Sequence, residues 1–443
     1  MLRTIAVGVL ACAVVACGSD ASDPGASGSG GVAGASFAGV PNANGGAGAS
    51  SGGSGNGVAG NSSGASTSNG GTSALGGAPT SSGGIGGAAV GAGGVLPSSG
   101  GNGGSGAPAS GGSVGAGGVS PDGGVGDGGQ GGAGGAGDRC DVGVAVPGKK
   151  PGVLAMSGDL TTHDPCVIEE SGIVYEFHTG PLLPGKTSTD LAAWKSAPSA
   201  FSGKNPAWIA SRVPGATDLW APDLSFFGGV YHLYYAASSF GSNTSCIGHA
   251  TREHMSSGAF TDHGAVICSS SSDDFNAIDP NAVVDTDGNP WLAFGSFWSG
   301  IKIVKLDMTG ARADDTIHSI ASRNGGAIEA SFIARRCGYY YLFVSFDKCC
   351  AGAQSTYNIR VGRSADLLGP YVDASGKAMM NGGGTLLVGG GGDFAASGGS
   401  GVLFRGTAAY NVFHAYPLDG SAARLRVAEL VWGDDGWPIS GGP

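Results

Sequence analysis

One pattern recurs four times along this 443-residue chain and limits its fold more than any other feature. Short aromatic-rich cores read Gly-Ile-Val-Tyr175-Glu-Phe, Gly-Val-Tyr231-His-Leu-Tyr, Asn-Pro-Trp291-Leu-Ala-Phe and Gly-Tyr-Tyr340-Tyr-Leu-Phe, and their central aromatics lie 56, 60 and 49 residues apart. Each core follows a turn signal and has the composition of a strand. Short strands at regular spacing are compatible with a barrel, a sandwich or a propeller, and self-similarity at this period favours the propeller. An acid precedes every core: Asp164, Asp223, Asp279 and Glu329 stand 11, 8, 12 and 11 residues upstream. In a propeller, residues at one phase of each blade converge on the central channel, so these acids are expected to cluster there. A weaker fifth core, Tyr410-Asn-Val-Phe-His-Ala-Tyr416, follows a Gly-rich insertion. The expectation is an all-β, five-bladed β-propeller.

The segments before the repeats read differently. Residues 1–17 combine Arg3, an apolar run and Cys17, the layout of a bacterial secretory signal. Val14-Val15-Ala16-Cys17 resembles a lipobox, which implies cleavage before Cys17 and lipid attachment to it; this is preferred over an ordinary signal peptide. Residues 18–138 are Gly, Ser and Ala with no Lys or Arg, a composition that cannot bury a core. They read as a disordered Gly/Ser/Ala-rich linker, without the strict period of collagen. Residues 139–443 form the expected catalytic domain, large enough for one all-β unit. The reading places the protein at the bacterial cell envelope or surface, exported and lipid-anchored, with Cys17 lipid as its contact with a membrane.

Setting aside Arg3 and the five linker acids leaves 21 basic against 28 acidic residues. No basic stripe exists to meet phosphates, so nucleic acid is excluded as a partner and a neutral substrate fits. The domain carries seven cysteines, an odd number that leaves at least one thiol unpaired within the chain. Cys246 and Cys268 flank one hairpin and form a candidate bridge, although pairing is not read from sequence. Neither Cys-x-x-Cys nor His-x-x-x-His spacing appears, which argues against a metal site.

The acids carry the chemistry. Asp164-Pro165 and Asp279-Pro280 share one phase, and a following proline holds the Asp backbone extended, fixing where its carboxylate points. Glu329 is a lone acid on an otherwise apolar strand, where desolvation raises its pKa and suits it to be a general acid. Glycoside hydrolysis requires one protonated and one ionised carboxyl group. Carboxyls facing each other across a channel fit the roughly 6.5–9.5 Å separation of an inverting site.

Several longer strings are more specific. His163-Asp164-Pro165, Trp220-Ala-Pro-Asp223, Asn276-Ala-Ile-Asp-Pro-Asn281, Gly295-Ser-Phe-Trp-Ser-Gly-Ile301, Ser345-Phe-Asp-Lys-Cys-Cys350 and Asp435-Gly-Trp-Pro438 are among them. Over about residues 160–438 the chain resembles glycoside hydrolase family 43, and within it the arabinan endo-1,5-α-L-arabinosidases. The resemblance implies an inverting mechanism with Asp164 as general base, Glu329 as general acid and Asp279 tuning the acid. It leaves Asp223 outside the catalytic trio. It also implies a substrate cleft that includes Asp164, Gly241, Asn276, Ile278, Ser296, Phe297 and Trp298, with the Ser239–Ser245 loop, including Phe240 and Asn243, as a wall. For Phe297 core packing and the cleft weigh evenly; for Trp298 the cleft is preferred. For His163, fixing the strand start is preferred over a proton relay, and for the vicinal Cys349-Cys350 pair a structural role over a redox one.

One departure concerns the fifth blade. Many relatives carry a Gly-Pro-Gly-His string whose His faces a water-ligated channel ion such as calcium; here the stretch is Ala396-Ser-Gly-Gly-Ser-Gly401, without His. No cofactor is required by this reading, and no metal residue is assigned. The expected substrate is arabinan, as in pectin side chains, acted on by a monomer. The alternatives are an exo-acting α-L-arabinofuranosidase or β-xylosidase, and a non-catalytic polysaccharide-binding propeller.

Overall fold

A computed structural model describes residues 138–443. The expectations for the signal segment, Cys17 and the linker up to residue 137 lie outside the described residues.

Five sheets follow one another along the chain. The innermost strand of each is its first long strand: Cys166–Glu170, Trp220–Phe227, Asn281–Val284, Ile328–Arg336 and Phe394–Arg405. Each packs against its counterparts in the two neighbouring blades, closing a ring around a central channel. The aromatic cores form the second strand of each blade: Ile173–Phe177, Val230–Ala237, Pro290–Phe294, Tyr339–Phe346 and Ala408–Pro417. All pairings from first to second strand are antiparallel. Second-strand side chains supply the packing between blades, as Tyr235, Phe294, Phe343 and Phe413 show, each fully buried. The five-bladed propeller read from the repeat is the fold observed.

Three innermost strands are bulged, with register shifts at Trp220/Asp223, Glu329/Phe332 and Gly398/Gly401. Such bulges bend the strand and re-aim side chains beside functional sites.

The ring is closed by a strap that precedes the first blade. Val144 bridges Trp432, Val153 bridges Ala428 and Thr161 bridges Arg424, laying the strap along the third strand of blade five, Arg424–Trp432. Ser157–Gly158 then pairs in parallel with Ala193–Trp194 of blade one. At the start of the strap the Asp138 carboxylate accepts the Gly338 N–H at 2.6 Å and meets Arg335 at 3.1 Å. A disulfide joins Cys140 to Cys337 in blade four, and the candidate bridge Cys246–Cys268 is formed. Cys166, Cys349 and Cys350 stay free.

Blade two hides a pair of histidines on adjacent strands. His232 Nδ1 and His249 Nε2 lie 2.9 Å apart, with Phe227 stacked on His232. Burial, together with the neighbouring His263, pushes His232 down to about 4; burial, His232 and His263 push His249 down to about 3. Both are therefore neutral in the folded state, while in the unfolded chain they protonate near 6.5. Their contribution to stability is complete above about pH 6.5 and is lost as pH falls towards those depressed values. Each group is expected to remove about 1.4 kcal/mol per pH unit between pH 6 and 4. Urea unfolding across that range checks this: His232→Gln/His249→Gln shows a flatter decline than the parent, and an equal decline refutes it.

Candidate active site

At the channel mouth the chain places two of its phased acids, and the residue after a third, on backbone that few residues adopt. Asp164 has φ 49° and Asp279 φ 56°, left-handed rather than the extended backbone expected before proline, and Ala330, beside Glu329, has φ 52°. Left-handed backbone at non-glycine residues is strained and concentrates at functional sites. Asp164 and Asp279 stand just before their innermost strands, while Glu329 sits at a strand bulge. Asp164, Asp223 and Asp279 border one channel, which Pro165, Pro280, Ala330, Phe332 and Gly399 also line.

Asp164 sits in a polar cage. His163 Nδ1 lies 2.7 Å from its Oδ2, and Thr179 donates to the same oxygen at 2.9 Å. His414 Nδ1 accepts the Asp164 backbone N–H at 3.1 Å and lies 3.7 Å from Oδ1. Burial favours the neutral acid, but His163, His414 and Thr179 outweigh it and hold the carboxyl well below its ordinary range. Burial likewise opposes charge on His163, yet Asp164 outweighs it and raises His163, so the two form an ion pair. Burial and the charge on His163 press His414 down to about 3, leaving it neutral. Its Nδ1 accepts a bond, so the proton sits on Nε2, 3.2 Å from the Tyr416 hydroxyl. Tyr416 in turn lies 2.6 Å from His163 Nε2.

Glu329 and Asp279 form the opposite electrostatic group. Burial raises Glu329, against hydrogen bonds from Ser296, at 2.7 Å, and Tyr357. Burial, Glu329 and Asp164 raise Asp279, against one bond from the Ala330 N–H at 2.9 Å. Two buried carboxyls that repel each other retain a proton above the ordinary carboxyl range. The channel mouth therefore holds one ionised carboxylate and one proton-retaining pair.

Asp223 belongs to neither. Its oxygens accept Asn281 Nδ2 at 2.9 Å and the Ala282 N–H at 2.8 Å, which stitches blade two to blade three. Burial still raises it to about 7. Both of its oxygens are thus engaged in holding two blades together.

The remaining expected residues divide by exposure. Phe297 and Trp298 are 38% and 36% exposed, on left-handed backbone, which excludes core packing for both. Ser296 is buried on Glu329, and Asn276 is buried with its side-chain oxygen unpartnered. Ile278 is buried beneath this turn, accepting the Gly295 N–H. Gly241 takes φ 73° in an exposed loop where Phe240 packs its ring against Trp220. Asn243, expected in the cleft wall, instead spends its amide on the carbonyls of Asp273 and Phe275 and pins that loop from beneath. His163, expected mainly to fix a strand start, bonds the Asp164 carboxylate directly. Thr179, Tyr357, His414 and Tyr416 were not anticipated. The signal for the last two was present: they are two residues apart in the fifth core and so share one strand face.

The ligand atoms of His163, Asp164 and His414 lie within 4.8 Å of one another, close enough to hold an ion, but each is already engaged with its neighbours. Gly399 has no side chain, and a Cβ there would meet His414 Nδ1 at 2.9 Å. Both ring nitrogens of His414 face hydrogen-bond partners, and His163, Asp164 and His414 are spent on one another.

Comparison with known proteins agrees with this geometry. The family model described as glycosyl hydrolases family 43 matches residues 158–438. Extracellular endo-α-(1→5)-L-arabinanase 1 of Bacillus subtilis strain 168 is 45% identical over 284 residues, covering 62% of this chain and 86% of that protein. Extracellular exo-α-(1→5)-L-arabinofuranosidase ArbA of Cellvibrio japonicus strain Ueda107 is 39% identical over 300 residues, covering 63% of this chain and 86% of that protein. A solved structure, the family 43 endo-arabinanase of Bacillus licheniformis, superposes with a TM-score of 0.62 at 48% identity, covering 65% of this chain and 99% of that one. Matched over more than half its length by the family model and built on the same propeller, the chain belongs to glycosyl hydrolase family 43.

Proposed function

We propose that this protein is an endo-acting hydrolase of α-1,5-linked L-arabinan that inverts the anomeric centre. The observation that carries the mechanism is the electrostatic division of the channel mouth: Asp164 is held ionised by His163, while Asp279 and Glu329 retain a proton. Glu329 gives its proton to the glycosidic oxygen as the bond to the anomeric carbon breaks. Asp164 takes a proton from water, whose oxygen bonds to that carbon from the opposite face. Asp279 neighbours the acid, and repulsion between the two buried carboxyls keeps a proton on the pair. Asn276, Ser296, Phe297 and Trp298 form the sugar-binding side, with aromatic faces for the furanose and polar atoms for its hydroxyls. Gly241 and Ile278 shape the cleft through backbone.

Arabinan as substrate, and endo action, are supported by the 45% identical endo-arabinanase. The exo-acting relative at 39% identity supports the second reading. Products from linear arabinan separate the two: a ladder of oligomers is expected, and monomer alone identifies the exo enzyme. Proton NMR of the first product is expected to show the inverted anomer, and net retention overturns the mechanism.

Hydrolysis is read as running on carboxylates without a channel ion, because the donors there are engaged with one another. Dialysis against a chelator is expected to leave both kcat and the unfolding midpoint unchanged. A drop in either, restored by calcium, refutes this. Export is supported by the extracellular relatives and the two disulfides, and lipid attachment at Cys17 by the Val14–Cys17 string.

A further inference from the structure

Cys349 and Cys350 form a nucleophilic pair that hydrolysis leaves unused. They lie in the loop after the second strand of blade four, both part-exposed, with Sγ atoms 2.7 Å apart. That separation places the two thiols within reach of each other. Cys350 is held in left-handed backbone at φ 60°, a conformation disfavoured for a residue with a Cβ.

The surroundings connect the pair to the catalytic carboxyls. Cys350 Sγ is 3.7 Å from His163 Nε2, and its N–H donates to the Tyr416 hydroxyl at 3.0 Å. Cys349 packs on the cluster of Tyr357, Ala396 and Tyr416. His163 bonds Asp164, and Tyr357 bonds Glu329, so the pair touches a partner of the base and a partner of the acid. The two disulfides elsewhere in the domain match an oxidising compartment.

We propose that Cys349 and Cys350 are a reversible thiol–disulfide site whose closed ring positions His163 and Tyr416, and through them Asp164. The oxidant is a disulfide, carried by a small thiol or by an oxidoreductase. The Cys350 thiolate, favoured by the cationic His163 beside it, attacks one sulfur of that disulfide, and one thiol departs. Cys349 then attacks Cys350 Sγ, and the second thiol departs. Two electrons pass to the oxidant, and the two protons end on the released thiols. Adjacent α-carbons are held about 3.8 Å apart, below the usual span of a disulfide, so this ring opens more readily than the other two bridges. Opening frees Cys350 to move and loosens the Tyr416–His163 contact.

This inference rests on Asp164 as the base, but the bond is read without any activity measurement. Trypsin cleavage after Lys348 and Arg360 places both cysteines in one peptide. The full chain is poised in oxidised or reduced glutathione, alkylated and digested. With oxidised glutathione the Cys349–Arg360 peptide is expected unalkylated and lighter by two hydrogens. With reduced glutathione it carries two alkyl groups, while Cys140–Cys337 and Cys246–Cys268 stay linked. Over the same change kcat falls about tenfold at unchanged KM, less than the roughly 10²-fold cost of a 1 Å misplacement. In Cys349→Ser/Cys350→Ser, kcat no longer depends on the glutathione poise. Alkylation of both cysteines under oxidised glutathione overturns the site. An opened ring with unchanged kcat overturns the positioning role.

Discussion

Replacing Glu329 by Gln is expected to lower kcat on linear arabinan by about 10³-fold, within the range for a lost general acid. Gln keeps the shape and the Ser296 contact but has no proton to give to a sugar leaving group. KM is therefore expected to stay near that of the parent. The discriminating substrate is an aryl arabinofuranoside, whose leaving group departs as a stabilised anion; there the loss shrinks to about tenfold or less. A substitution that merely disturbed the fold would depress both substrates alike. Undiminished turnover of arabinan would move the acid elsewhere.

Asp164→Asn is expected to cost about 10³–10⁴-fold on both substrates, because water must be activated whatever the leaving group. The loss is enlarged by what Asp164 holds around it. With the carboxylate gone, His163 loses the charge that raises it. The measurement is kcat on arabinan and on the aryl substrate side by side. Equal losses for Asp164→Asn, against unequal losses for Glu329→Gln, distinguish base from acid without recourse to structure.

The propeller was legible because its blades repeat. Aromatic residues recurring once per repeat announce second strands, and acids at a similar offset upstream announce the mouths of the first. That phase could not separate Asp223 from Asp279. The difference lies in partners: Asn281 and Ala282 consume the first, while Glu329 crowds the second. Such contacts join different blades and leave no mark on either local pattern. His414 was visible as a residue of the fifth core, but its direction was not. Its place against Asp164 depends on Gly399, across the strand pair, leaving room for the ring. The Cys140–Cys337 bridge, between residues 197 apart, was equally out of reach, since only the closed ring brings them together.

The placement of His414 and Tyr416 also bears on when the enzyme comes alive. Asp164 lies in the first blade, yet its backbone N–H and its ionic partner are held by residues about 250 positions later. A chain emerging vectorially from an export channel presents its base long before the groups that set it. Until the last blade arrives, Asp164 lacks His414, and His163 lacks Tyr416. Hydrolytic competence is thus coupled to completion of the polypeptide, and a chain severed before blade five would carry all three carboxylates and remain silent.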